Sequence, residues 1–386
     1  MIPYSRQEIV QEDIDAVISV LRSDWLTQGP KVPEFERQVA SYCDAAHAVA
    51  VNSATSALHI ACLALDVGPG DEVWTSPNTF VASANCALYC GAEVDFVDID
   101  PDTWNLCPRR LDEKLSEAKQ QNRLPKVVIP VHLCGQACDM EAIYRLSQQY
   151  GFRIIEDASH AVGGYYQNQP VGNCRYSDIT VFSFHPVKII TSAEGGMALT
   201  NNSQLAERMA RLRTHGITKD PEQMRSTPTG AWYYEQLELG YNYRMTDLQA
   251  ALGSNQLKRL DTYVEKRNEI AQRYDELLST FPLQRPKLIR EAFSSWHLYP
   301  IRLTLSQIPK SHDQVFELMR REGVGVGLHY MPVHLHPHFR ALGFERGMFP
   351  EAERYSQNAI SLPIFPTLQI NQQKDVVSVL EQALSQ

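Results

Sequence analysis

The chain has 386 residues, 44% of them hydrophobic and 21% charged, an ordinary globular balance with length enough for two or three domains. A net charge of −9 argues against a general binder of nucleic acid or acidic membranes, which needs clustered Lys and Arg. No apolar run approaches the ~20 residues that span a bilayer, and "MIPYSRQEIVQEDIDAV" is no signal peptide, so a cytoplasmic protein is expected.

In chain order, "HAVAV" (47–51) reads as a strand that passes through a small polar turn into the helical spacing of "TSALHIACLAL" (55–65). "GDEVWTS" (70–76) reads as a strand, "TFVASANCALYCG" (79–91) as a helix stopped by Gly91, and "AEVDFVDID" (92–100) as a strand. "LPKVVIPVHLCG" (124–135) has an apolar strand centre. "MEAIYRLSQQYG" (140–151) is a helix ended by Gly151, and "FRIIEDASHA" (152–161) a strand followed by a turn. "DITVFSFH" (178–185) is another strand, and "MALT" (197–200) a further apolar run. Strands with near-continuous apolar centres, separated by helices, predict an α/β fold with a mostly parallel central sheet and helices on both faces.

After Ser254 the texture changes. "NQLKRLDTYVEKRNEIAQRYDELLSTF" (255–281) reads as one long amphipathic helix. A strand "HLYPIRLTL" (297–305), a helix "SHDQVFELMRREG" (311–323) and a strand-like "VGVGLHYMPVH" (324–334) follow. The predicted division is a large domain, 1–254, and a smaller C-terminal α+β domain, 255–386, with residues 1–30 free to pack on either. Cysteines at 43, 62, 86, 90, 107, 134, 138 and 174 lie mostly in apolar runs and read as reduced core residues. Their C-x3-C spacings are too loose for a zinc site. His334, His336 and His338 alternate in "HYMPVHLHPHF", but prolines break that run and no carboxylate or cysteine accompanies it, so no metal is expected.

Open α/β sheets bind ligands beyond the C-terminal ends of their strands. There the chain places Asn52, Ser53 and Thr55, then Pro77 to Phe80, then Asp157, then Ser183 and Lys188. A small polar turn entering a helix makes an anion site from free N–H groups, although Ser and Thr also cap helices for purely structural reasons. Phe80 can stack on a flat ring, Asp157 can pair with a protonated ring nitrogen, and Lys188 can condense with an aldehyde. Lys188 stands in "SFHPVKIITSAEGG" (183–196), whose small residues let the backbone approach a ligand. Phosphate cradle, aromatic, aspartate and lysine together describe a pyridoxal phosphate site. No G-x-G-x-x-G follows a strand, which argues against a nicotinamide dehydrogenase.

Five segments resemble, in order, the motifs of the fold-type I sugar aminotransferases of the DegT/DnrJ type. They are "VNSATSALHIACLAL", "SPNTFVASANCALYCGAEVDFVDID", "IIEDASHAVGG", "FSFHPVKIITSAEGGMALTNN" and "GYNYRMTDLQAALG". The resemblance implies that Lys188 carries the cofactor as a Schiff base and shuttles the proton. Asp157 would pair with the pyridine nitrogen, and His160 would lie near the 3-hydroxyl, where the family often has Gln. Phe80 would stack on the ring. Ala54, Thr55 and Ser183 would hold the phosphate, and Asn242 would reach the phosphate of the neighbouring subunit's cofactor, which implies a homodimer with shared sites. A lookalike branch of the fold has His in place of Lys188 and dehydrates, so Lys188 favours transamination.

Within the family, "DIDAVISVLRSDWLTQGPKVPEFE", "RLRTHGITKDP" and "GVGLHYMPVHLHPHF" look like the branch of the pseudaminic acid pathway. That branch implies L-glutamate as donor and a UDP-linked 4-keto-6-deoxy-N-acetylhexosamine as acceptor. Trp25, Arg213, His215, Tyr233, His329 and Tyr330 are the candidates to hold the nucleotide sugar. Asn78 departs from the aliphatic residue expected before "TFVAS". The motifs leave open a GDP-, dTDP- or 3-keto-sugar substrate, and a regulator that binds the cofactor without turning over.

Overall fold

In a computed structural model, which describes residues 1–385, seven strands form the central sheet. They are β1 (His47–Val51), β2 (Glu72–Thr75), β3 (Glu93–Phe96), β4 (Val127–Ile129), β5 (Arg153–Asp157), β6 (Ile179–Ser183) and β7 (Gly196–Thr200). Their order across the sheet is β1-β7-β6-β5-β4-β2-β3. Neighbours from β6 to β3 are parallel, whereas β7 runs antiparallel to both β6 and β1. The reason is local: only residues 184–195 join β6 to β7, and a short return without a helix can only be antiparallel. Lys188 therefore sits in a hairpin connection at the C-terminal edge of the sheet.

One apolar cluster packs on each face of this sheet. Val73, Ile129, Ile155 and Val181 contribute to one, and Trp74, Val128, Ile154 and Phe182 to the other, as side-chain alternation requires. Helices α1 (Gln11–Leu21), α2 (Lys31–Cys43), α3 (Ala54–Ala64) and α4 (Ala82–Tyr89) precede and flank the first strands, α4 ending just before Gly91 at φ +75°. Seven of the eight cysteines are buried.

A third cluster, with Tyr299, Ile301, Val315 and Val376, lies under a three-stranded antiparallel sheet of Leu283–Gln284, Tyr299–Leu303 and Ala359–Leu362. The C-terminal helix Ile370–Ser385 packs there. The N-terminus meets both regions: Ile2 bridges Val324, while α1 is tied to residues 255–259 through Asp13. No helix among the described residues is long and apolar enough to cross a membrane.

Two expected elements differ. The single helix over 255–281 is a pair, Asp247–Leu257 and Leu260–Leu277, broken at Lys258–Arg259. Arg259 leaves helical geometry as its guanidinium meets the buried Asp13 carboxylate at 2.6 Å. Residues 324–334 make no strand beyond isolated bridges and end in a 3-10 turn at Val333–Leu335. Their N–H groups turn elsewhere, that of Tyr330 to the Asn78 side chain and that of Val333 to Pro77 O.

Candidate active site

The strand ends converge on a cavity of about 310 Å³. Ala54, Thr55, Phe80, Asp157, His160, Lys188, His329 and Tyr330 line it, eight of the residues singled out from the sequence. At the first turn of α3, Ser53 caps the Ser56 N–H at 3.1 Å, and Ser53 O takes the Ala57 N–H. The first-turn N–H groups of Ala54 and Thr55 are left at the positive end of the helix, where an anion is stabilised. Gly196, the first residue of β7, lies against this turn. A Cβ there would come within 2.4 Å of Ser53 C and 2.5 Å of Ala54 N. A Cβ on Gly195 would come within 2.2 Å of Ser192 Oγ. The Gly-Gly pair thus lets the lysine hairpin close onto the anion-binding turn.

Asp157 is buried, its Oδ2 accepting from Ser83 Oγ at 2.6 Å and its Oδ1 from the Ser159 N–H at 3.1 Å. Two donors orient the carboxylate and leave lone pairs free for a cationic N–H. Lys188 is half-buried. Burial lowers its pKa to about 8, while Asp157 pulls the other way. An amine that loses its proton near neutrality is the form that attacks an aldehyde. His160 is held well below the ordinary histidine range by burial and by the Lys188 charge, so its ring is neutral. Its Nδ1 accepts the Cys134 N–H at 3.2 Å, and its Nε2 lies 3.1 Å from Tyr330 Oη. Phe80 is 58% exposed, its ring free on the cavity side.

The other expected site residues lie apart from this cavity. Ser183 is buried at the end of β6, opposite Gly196. Asn242 is exposed, in a loop that bridges to Thr214. Trp25 and His215 are exposed, and the Tyr233 hydroxyl bonds to Glu235 at 3.0 Å. Arg213 pairs with Glu36 and donates to Ala50 O at 2.6 Å, lining a separate cavity of about 210 Å³ beside Gln28 and Arg244. Sequence reasoning missed Tyr4, Ser159, His185, Glu194 and His297 in the main cavity. Ser159 carried a signal, two residues past Asp157 where an aspartate commonly accepts a backbone N–H. Tyr4 and His297 carried none, because only the fold brings residues so far apart together.

A family model described as the DegT/DnrJ/EryC1/StrS aminotransferase family matches residues 7–381. The chain belongs to this family. Its cofactor is pyridoxal phosphate, and the free N–H turn, the oriented carboxylate and the low-pKa lysine fit that molecule's phosphate, ring nitrogen and aldehyde. The chain is 38% identical over 382 residues to the spore coat polysaccharide biosynthesis protein SpsC of Bacillus subtilis, covering 98% of this chain and 96% of that protein. Among solved structures it is similar to Helicobacter pylori PseC, an aminotransferase involved in the biosynthesis of pseudaminic acid, with a TM-score of 0.90, 30% identity and 99% of each chain covered. It is equally similar to the sugar aminotransferase Spr1654 of Streptococcus pneumoniae in its PMP form, with the same TM-score, identity and coverage.

Proposed function

We propose that this protein is a nucleotide-sugar aminotransferase that moves the amino group of L-glutamate to C4 of a UDP-linked 4-keto-6-deoxy-N-acetylhexosamine. That is the reaction of UDP-4-amino-4,6-dideoxy-N-acetyl-β-L-altrosamine transaminase in the pseudaminic acid pathway. The observation that carries the reading is one cavity holding Lys188, with its depressed amine, and the oriented Asp157 carboxylate. Similarity to PseC across the whole chain supports the pathway.

When bound, pyridoxal phosphate supplies an electron sink for the carbon that loses its proton. The residues of this chain do the rest. Ala54 and Thr55 N–H groups would hold the phosphate, and Ser183, assigned to it from the sequence, stands outside the cavity wall on the strand paired with Gly196. Asp157 would keep the ring nitrogen protonated, and Ser83 and Ser159 hold Asp157 in place. Phe80, on the cavity wall, would stack on the ring. Lys188 Nζ, on a half-buried side chain with its pKa lowered to about 8, would take and return the proton, a role typically worth roughly 10²–10⁴-fold in rate. Trp25, Arg213, His215, Tyr233, His329 and Tyr330 are assigned to the nucleotide sugar, and the first four would act in a homodimer where their surface meets a neighbouring site. Asn242, exposed beside them, would complete the partner's phosphate site.

The test is the visible absorbance of the purified protein with pyridoxal phosphate, before and after L-glutamate, followed by a panel of UDP-, GDP- and dTDP-linked keto sugars. A yellow band that glutamate bleaches, and that only the UDP-linked 4-keto sugar restores, is the expected result. A protein that stays colourless refutes the Lys188 assignment. Restoration by a GDP- or dTDP-linked sugar alone refutes the substrate.

A further inference from the structure

Tyr330 reaches the cavity from the segment that was expected to be a strand, and Asn78 holds it there. The Tyr330 N–H donates to Asn78 Oδ1 at 3.0 Å, and the Val333 N–H donates to Pro77 O at 2.8 Å, so Pro77–Asn78 grips residues 330–333 at two points. From the other side, the Tyr355 hydroxyl donates to His329 O at 3.0 Å, and Ser361 Oγ lies 2.9 Å from His329 Nδ1. Asn78 is 1% exposed, and its Nδ2 is buried without any acceptor. An aliphatic side chain would fill the same space with no orphaned donor, but it would strip the Tyr330 N–H of its partner. The chain keeps the unfavourable amide where its oxygen fixes one residue of the cavity wall.

The hydroxyl of Tyr330 has a defined direction as a result. His160 Nδ1 accepts the Cys134 N–H, so the proton of the neutral ring is on Nε2. Nε2–H then donates to Tyr330 Oη across 3.1 Å. Oη is thereby used as an acceptor, and its own proton is left to donate into the cavity that Lys188 shares. The chain Cys134 N–H, His160, Tyr330 O–H runs one way, and it holds only while the Tyr330 backbone stays where Asn78 puts it.

We propose that Asn78 is a positioning residue of this active site, fixing Tyr330 as a hydrogen-bond donor to an oxygen of the bound cofactor or sugar. This rests on the cavity being the aminotransferase site. The experiment compares wild type, Asn78→Leu, Tyr330→Phe, the double variant and Asn78→Asp, each as holoenzyme. Hydrogen exchange of residues 329–333 is read beside pyridoxal phosphate affinity and kcat and KM for the keto sugar. Asn78→Leu is expected to speed exchange in 329–333 but not in β4 to β6, and to cost about tenfold in affinity or kcat/KM. The double variant is expected to lose no more than Tyr330→Phe alone. Asn78→Asp, which keeps the acceptor oxygen, is expected to hold exchange near wild type, and this arm stands even if Asn78→Leu fails to fold. A loss in cofactor affinity assigns the oxygen to the cofactor, and a raised KM with affinity intact assigns it to the sugar. Unchanged exchange in Asn78→Leu, exchange in Asn78→Asp markedly faster than wild type, or losses that multiply in the double variant overturn the proposal. A wild type that takes up no cofactor overturns the active-site reading instead, and the exchange arm then still reports whether Asn78 tethers Tyr330.

Discussion

Replacing Lys188 by Met should make the cofactor-free protein more stable at neutral pH, even as it destroys activity. Burial takes the Lys188 pKa from the ordinary 10.5 to about 8. A difference of that size corresponds to roughly 3 kcal/mol of disfavoured charge, and partial solvent access to the half-buried side chain reduces it to about 1–2 kcal/mol. The direction with pH follows from proton counting. Below pH 8 the lysine is charged in both states, and folding bears the full cost. Between about 8 and 10.5 the folded protein has released a proton that the unfolded chain retains, so stability rises with pH across that window. Met fits the same volume without charge. Urea unfolding of the apoprotein from pH 7 to 10.5 should show Lys188→Met more stable at pH 7 and the two proteins converging at the upper end. Curves that stay parallel, or a variant less stable at pH 7, would refute the account of how this amine is tuned.

Asp157→Asn keeps hydrogen-bonding partners for Ser83 and Ser159 but removes the charge, and should lower kcat roughly 10²–10³-fold while unfolding as the wild type does. Gly196→Ala places a Cβ 2.4 Å from the Ser53 backbone, so it should destabilise by about 1–3 kcal/mol and weaken cofactor uptake, read by denaturation and by absorbance titration. If Asn242 serves the neighbouring site, Lys188→Ala and Asn242→Ala chains, each inactive, should recover about a quarter of the wild-type sites when unfolded and refolded together, since one site of each mixed dimer is then intact. Recovery of no activity would separate Asn242 from the partner's phosphate site.

The sheet strands were legible because burial leaves a near-continuous apolar run, as in "DITVF" among the parallel strands and "HAVAV" at the antiparallel edge, and each run ends where chemistry can sit. That is why Thr55, Phe80, Asp157 and Lys188, taken from four strand ends, share one cavity. Helical periodicity failed at Lys258–Arg259 because the pattern stays in phase across the break, and the contact made there, Arg259 on the Asp13 carboxylate, joins residues 246 apart in sequence. Arg213, a candidate to hold the nucleotide sugar, is paired with Glu36, which reaches it across the fold. Charge partners of this kind are tertiary, and composition cannot reveal them.

Glycine shows the boundary most clearly. In the sequence, Gly195 and Gly196 read as room for a ligand beside Lys188; in the structure the space at Gly196 is taken by the backbone of the first turn of α3, and that at Gly195 by the Ser192 and Met245 side chains. Both readings reach the same chemistry by different routes. A turn that must offer bare N–H groups to a phosphate cannot fill its own surroundings with side chains, so the strand behind it gives up its Cβ. The small residues of "TSAEGG" therefore mark the cofactor indirectly, through the shape of the helix end that would hold its phosphate. The same demand links the two halves of the site: the hairpin that carries Lys188 can close only because β7 starts with a glycine, and that closure sets the distance between amine and phosphate cradle.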